Sequence, residues 1–106
     1  MSTKHGFELH PEAAQDIQNI WDFIAGRNTL AARRVREKIL SAIQRLVTFP
    51  HQGHQRPDLT SRPLRFLNVR DYLIAYAAGE HPLLVVAVLH GRRNPRIMSA
   101  ILRGRE

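Results

Sequence analysis

Residues 83–89 read Leu-Leu-Val-Val-Ala-Val-Leu, with no polar side chain to turn toward water. A half-exposed strand alternates apolar and polar residues, and an amphipathic helix repeats at three and four; this segment does neither. At seven residues it is also far short of the roughly 20 that a membrane-spanning helix requires. It therefore predicts a central strand covered on both faces.

The residues before it supply its neighbours. Tyr72, Ile74 and Tyr76 alternate with Leu73, Ala75 and Ala77, and Leu64–Val69 is modestly apolar. Arg70-Asp71 and Gly79-Glu80-His81-Pro82 have turn composition, so the three segments read as an antiparallel meander. His51 to Pro63 is a polar loop with Gly53, Pro57 and Pro63.

Two helices precede the loop. Phe7–His10 reads as a short strand, and Pro11 suits a first helical position with His10 or a nearby group as cap. Ala13, Ile17, Ile20, Trp21 and Ile24 form one apolar face, with Glu12 and Asp16 early in the helix, where its dipole favours them. Trp21 on that face is expected in the core. A second helix runs from about Thr29 to the Pro50 stop, with Ala32, Val35, Ile39, Ala42, Ile43, Leu46 and Val47 on its apolar face. Its other face carries Arg33, Arg34, Arg36, Glu37, Lys38 and Arg45. The short link makes the pair an antiparallel hairpin. Arg96 to Arg103 predicts a last short helix, with Ile97, Ala100 and Ile101 as its apolar positions.

The expected fold is α+β: an N-terminal strand, an antiparallel helical hairpin packed on an antiparallel three- to four-stranded sheet, and a short C-terminal helix. The 106 residues fit one domain, residues 1–106. No cysteine is present, which excludes disulfides, a thiol nucleophile and Cys-ligated zinc. The opening residues lack the apolar core of a signal peptide, so a cytoplasmic protein without membrane association is expected.

The net charge is +7, and it is unevenly placed. Residues 1–30 hold two basic and four acidic side chains, whereas residues 31–106 hold fourteen basic and five acidic ones. Such an excess suits a polyanion or an acidic protein partner. Arg62, Arg65 and Arg70 flank the first meander strand, and Arg92, Arg93 and Arg96 follow the last. Brought together, these six would form a basic binding patch; apart, they are solvated turn residues.

His90 closes the apolar strand beside Arg92 and Arg93, where it can serve as a general base or simply cap the strand. Tyr72 and Tyr76 share a face, either as a stacking platform or as core. Glu37 and Asp71 lie among arginines and read as ion-pair partners. His51 and His54 lack a carboxylate partner for a metal site, and the glycines are too scattered for a phosphate-cradling loop. No metal and no cofactor are expected.

The order of these pieces resembles the RelE/ParE superfamily of type II toxin–antitoxin toxins across nearly the whole chain. The residues that carry the resemblance are Pro11-Glu12-Ala13-Ala14-Gln15-Asp16-Ile17, Asn28-Thr29-Leu30-Ala31-Ala32, Leu46 with Phe49-Pro50 and Gly53, Arg65 before Tyr72–Tyr76, and His90-Gly91-Arg92-Arg93. The resemblance implies a toxin neutralised by a cognate antitoxin, whose extended amphipathic segment wraps the toxin in a hetero-oligomer.

Two activities occur in such proteins. RelE-like members are ribosome-dependent mRNA endonucleases that use Arg and Lys groups with a C-terminal Tyr or His. On that reading the catalytic candidates here are His90, Arg93 and Arg65. The C-terminal Tyr would fall near Ser99, however; no Tyr follows Tyr76, and both lysines lie before residue 39. ParE-like members instead poison DNA gyrase and have no nuclease site. The long helical hairpin, the Arg-then-Tyr-x-Ile-x-Tyr strand and the His-Gly-Arg-Arg ending are closer to that branch. The expected function is accordingly a ParE-like gyrase inhibitor that arrests growth and stabilises plasmids, with the mRNA endonuclease as the alternative. A basic nucleic-acid-binding regulatory module is the third reading.

Overall fold

A computed structural model describes residues 6–105. The elements, in chain order, are β1 (Phe7–Leu9), α1 (Pro11–Ala25), α2 (Thr29–Thr48), β2 (Arg65–Val69), β3 (Tyr72–Ala77), β4 (Leu83–His90) and α3 (Pro95–Arg103). Each helix begins on a side-chain acceptor. His10 Nδ1 takes the Glu12 N–H at 3.1 Å, Asn28 Oδ1 takes that of Ala31 at 3.0 Å, and Asn94 Oδ1 takes that of Arg96 at 2.8 Å. Pro11 and Pro95 follow their caps directly, where a missing N–H costs nothing.

The sheet order is β1-β4-β3-β2. The three later strands form the antiparallel meander, and β1 joins β4 in parallel, so the sheet is mixed. A parallel pair needs a long crossover, and the helical hairpin is part of that connection. β4 is thus the inner strand that its apolar run demands.

Both sheet faces are buried. Ile74, Tyr76, Val85 and Val88 meet Ala13 and Ile17 of α1 and Ile39, Ile43 and Leu46 of α2. On the other face, Phe66, Leu73, Ala75, Ala87 and Leu89 meet Leu59 and Leu64 of the loop and Met98 and Leu102 of α3. The second cover is therefore a loop and one short helix rather than a second hairpin.

The register shifts between Ala75 and Tyr76, which pair with Ala87 and Val85, so Val86 is an extra residue on β4. Two consecutive side chains, Val86 and Ala87, consequently enter the same core cluster. An all-apolar strand carries no alternation that would reveal such a bulge.

Three expectations are corrected. α3 buries Met98 and Leu102, packs Ile101 partly buried against the same cluster and leaves Ile97 and Ala100 exposed, so its inner face is rotated from the expected one. The sheet face it covers is reached by Met98 and Leu102. Trp21 is half-buried, with the Arg36 guanidinium 4.3 Å above its ring, because it lies at the border of the α1 apolar face. Neither Glu37 nor Asp71 forms an ion pair with a described residue. The pairs formed are Arg56–Asp58 and Arg105 with Glu12 and Asp16.

Candidate functional site: a cationic cleft at the end of β4

β1 stops at Leu9, so it covers only the first part of the outer edge of β4. Beyond it, the edge groups of β4 find side chains instead. The Val88 N–H donates to Asp16 Oδ2 at 2.9 Å, and Arg105 Nη1 donates to the Val86 carbonyl at 3.2 Å. Arg105 also binds both carboxylate oxygens of Asp16. Its pairing with Asp16 holds the Arg105 guanidinium above its ordinary pKa, against the opposing effect of burial.

These groups adjoin a cleft of about 670 Å³. One wall is apolar, from Ile20, Phe23 and Ile24 of α1 with Val35 of α2; the other carries Arg70, Asp71, Tyr72, His90 and Arg93. Tyr72 and His90 face each other across β3 and β4, with ring centroids 5.5 Å apart and edge to face. Burial first, and the Asp71 charge second, push the Tyr72 phenol above its ordinary pKa. His90 Nδ1 accepts the Arg92 N–H at 3.2 Å, which places the proton of the neutral ring on Nε2.

Arg70 occupies the two-residue turn between β2 and β3 with φ 54°, a left-handed conformation that an L side chain adopts at a cost. The tight hairpin imposes it and holds the Arg70 side chain at the cleft.

The six arginines singled out in the sequence are distributed. Arg70 and Arg93 share the cleft, and exposed Arg92 adjoins it through His90. Arg65 begins β2, roughly 17 Å along the strand from Arg70, and donates to the Gly53 carbonyl at 2.8 Å. Arg62 donates to the Leu102 carbonyl at 2.9 Å. Arg96 lies with Asp58, Ser99 and Arg103 at a separate hollow. Of the two tyrosines, Tyr76 is fully buried and Tyr72 alone reaches the cleft. Among the described residues, no three His, Asp or Glu side chains gather as a metal site requires.

Sequence reasoning missed Asp16 and Arg105 as partners and Phe23 as a lining residue. Asp16 read only as a helix-dipole group, and nothing near Arg105 signals its contact with α1. Phe23 stands 71% exposed on α1, beside the apolar face rather than on it.

A helical hairpin packed on a four-stranded mixed sheet, with a cleft at the strand ends lined by apolar side chains, arginines and the carboxylates of Asp16 and Asp71, defines the architecture of this α+β protein. The family model of the ParE toxin of type II toxin–antitoxin systems, parDE, matches residues 7–95, and the chain belongs to this family. The family implies a cognate antitoxin as partner. α3 after Pro95, and with it Arg105, lies outside the matched residues. No curated protein matches the chain. Among the described residues, no helix is long and apolar enough to cross a membrane.

Proposed function

We propose that this toxin acts on DNA gyrase in the cytoplasm, and that the antitoxin silences it by laying an amphipathic segment into the cleft at the end of β4. The observation that carries the target reading is the dispersal of the nuclease candidates. Arg65 is committed to the Gly53 carbonyl at the other end of β2, away from His90 and Arg93. His90 Nδ1 is engaged by the backbone N–H of Arg92 rather than by any other catalytic candidate. Among the described residues no Lys lines the cleft, so a cleaving site there would lack the clustered charge its transition state needs.

Support for the antitoxin site comes from the chemistry of the walls. Phe23, Ile20 and Ile24 offer apolar anchorage, and Arg70 and Arg93 offer charge for acidic side chains. A segment with one apolar and one acidic face matches both walls.

Purified toxin in a gyrase supercoiling assay tests the target. Inhibition with a trapped cleavage complex is expected; neither effect at toxin excess overturns the reading. The endonuclease alternative has one observation in its favour, namely that His90 and Arg93 share the cleft with Tyr72 and Arg70. It predicts mRNA cut at the ribosomal A site in translating extracts, with loss of cutting in His90→Ala and Arg93→Ala.

A further inference from the structure

On the solvent side of α2, Arg34, Lys38, Ser41 and Arg45 recur at intervals of four, three and four residues and therefore form a single stripe. The stripe is roughly 16 Å long at the rise of an α-helix. The β2–β3 turn stands beside it, so that Val69 and Arg70 close a groove of about 490 Å³ with Arg34, Glu37, Lys38, Ser41 and Arg45. Four cations against one carboxylate line this groove. None of the four has an ion-pair partner among the described residues, and all four are exposed.

We propose that this groove binds the phosphate backbone of duplex DNA without reading its sequence. Arg, Lys and Ser are the side chains that contact phosphate oxygens. The groove has no aromatic side chain on which an unpaired base could stack, which disfavours single strands. A straight row of cations on a rigid helix matches a regular backbone better than a flexible acidic peptide. Arg70 lines this groove and the cleft at β4 alike, so a bound duplex lies next to the partner-binding cleft. The assignment is independent of whether gyrase is the target.

The test is fluorescence anisotropy of the purified full chain with a labelled 24-base-pair duplex of arbitrary sequence. Four neutralised phosphates give a log–log salt slope of about −3.6, a loss of about 150-fold in affinity between 50 and 200 mM salt. In the Arg34→Ala, Lys38→Ala, Arg45→Ala triple variant, one cation remains and that loss shrinks to about fourfold. Removing equal charge elsewhere, in Arg92→Ala, Arg96→Ala, Arg103→Ala, should leave the slope near the wild-type value. All variants are checked for an unchanged thermal melt, which their exposed positions predict. The proposal is overturned if the wild-type chain does not bind the duplex, or if the two triple variants behave alike. Equal or tighter binding of RNA, single-stranded DNA or poly-glutamate overturns the assignment to duplex DNA.

Discussion

Asp16 on α1 and Arg105, 89 residues further along the chain, close on each other over the part of the β4 edge that β1 leaves uncovered. Asp16 accepts from Val88 and Arg105 donates to Val86, so the pair gives partners to two edge groups of the strand as well as neutralising itself. Arg105 is only 9% exposed, and its Nε is the one buried side-chain polar atom among the described residues without a hydrogen-bond partner. Glu12, 3.8 Å from that atom, contributes charge without a bond.

Removing one member of this pair strands the other. Asp16→Ala leaves the buried guanidinium with only the more distant Glu12 for charge and the Val88 N–H open, at an expected cost of about 3 kcal/mol. Arg105→Ala costs less, because Asp16 keeps its bond from Val88 and gains access to water. Urea unfolding of both variants should show that order; equal losses would mean that the Val88 bond contributes nothing.

Tyr76 ties the loop to the sheet, since its hydroxyl accepts from the Gly53 N–H at 2.9 Å and donates to the Pro50 carbonyl at 2.8 Å. Tyr76→Phe should cost about 1–3 kcal/mol at neutral pH by orphaning both groups. Burial, the largest influence, pushes its phenol above the ordinary value of 10.0, so the folded state holds the proton more tightly than the unfolded chain does. Its contribution to stability is therefore whole below pH 10 and lost as pH rises through the folded-state value. Urea midpoints measured from pH 8 to pH 11 should fall more steeply for the wild type than for Tyr76→Phe, and Tyr72 supplies part of the slope that remains.

Arg70 at φ 54° pays in backbone strain for its place at both clefts. Arg70→Gly should raise stability by about 1 kcal/mol, because glycine adopts that conformation freely. The same variant should bind antitoxin and duplex more weakly. Thermal melts combined with titration calorimetry check both effects, and a variant that is no more stable would remove the strain argument.

Phe23 is the test of the cleft as antitoxin site. At 71% exposed it adds little to the fold, so Phe23→Ala should shift stability by less than about 0.5 kcal/mol. As a central apolar anchor it should cost at least about tenfold in antitoxin affinity. Calorimetry with the cognate antitoxin makes the measurement. An unchanged Kd would move the antitoxin to another surface.

Every element of the fold was legible because its signal is local. Pro11 after His10, the spacing from Ala13 to Ile24, Pro50 after α2 and the turn composition at Arg70-Asp71 each act within a few residues. The unbroken apolar run from Leu83 to Leu89 required a strand buried on both faces, and β4 is that strand. The site was legible only in part. Arg70, Arg93, Tyr72 and His90 were named in advance and share one cleft, while Arg62 and Arg65 bond to backbone carbonyls elsewhere.

What the sequence determined by itself, then, is the order of elements and the need for two apolar covers. These follow from side-chain periodicity and from the backbone limits of proline and tight turns. Tertiary structure alone decided the Val86 bulge, the face that α3 buries, the partition of the arginines and the meeting of Asp16 with Arg105. Each depends on which distant groups are left without a hydrogen-bond partner or an apolar neighbour once the sheet has formed. No window of sequence contains that information, because the groups concerned are brought together only by the strand order β1-β4-β3-β2.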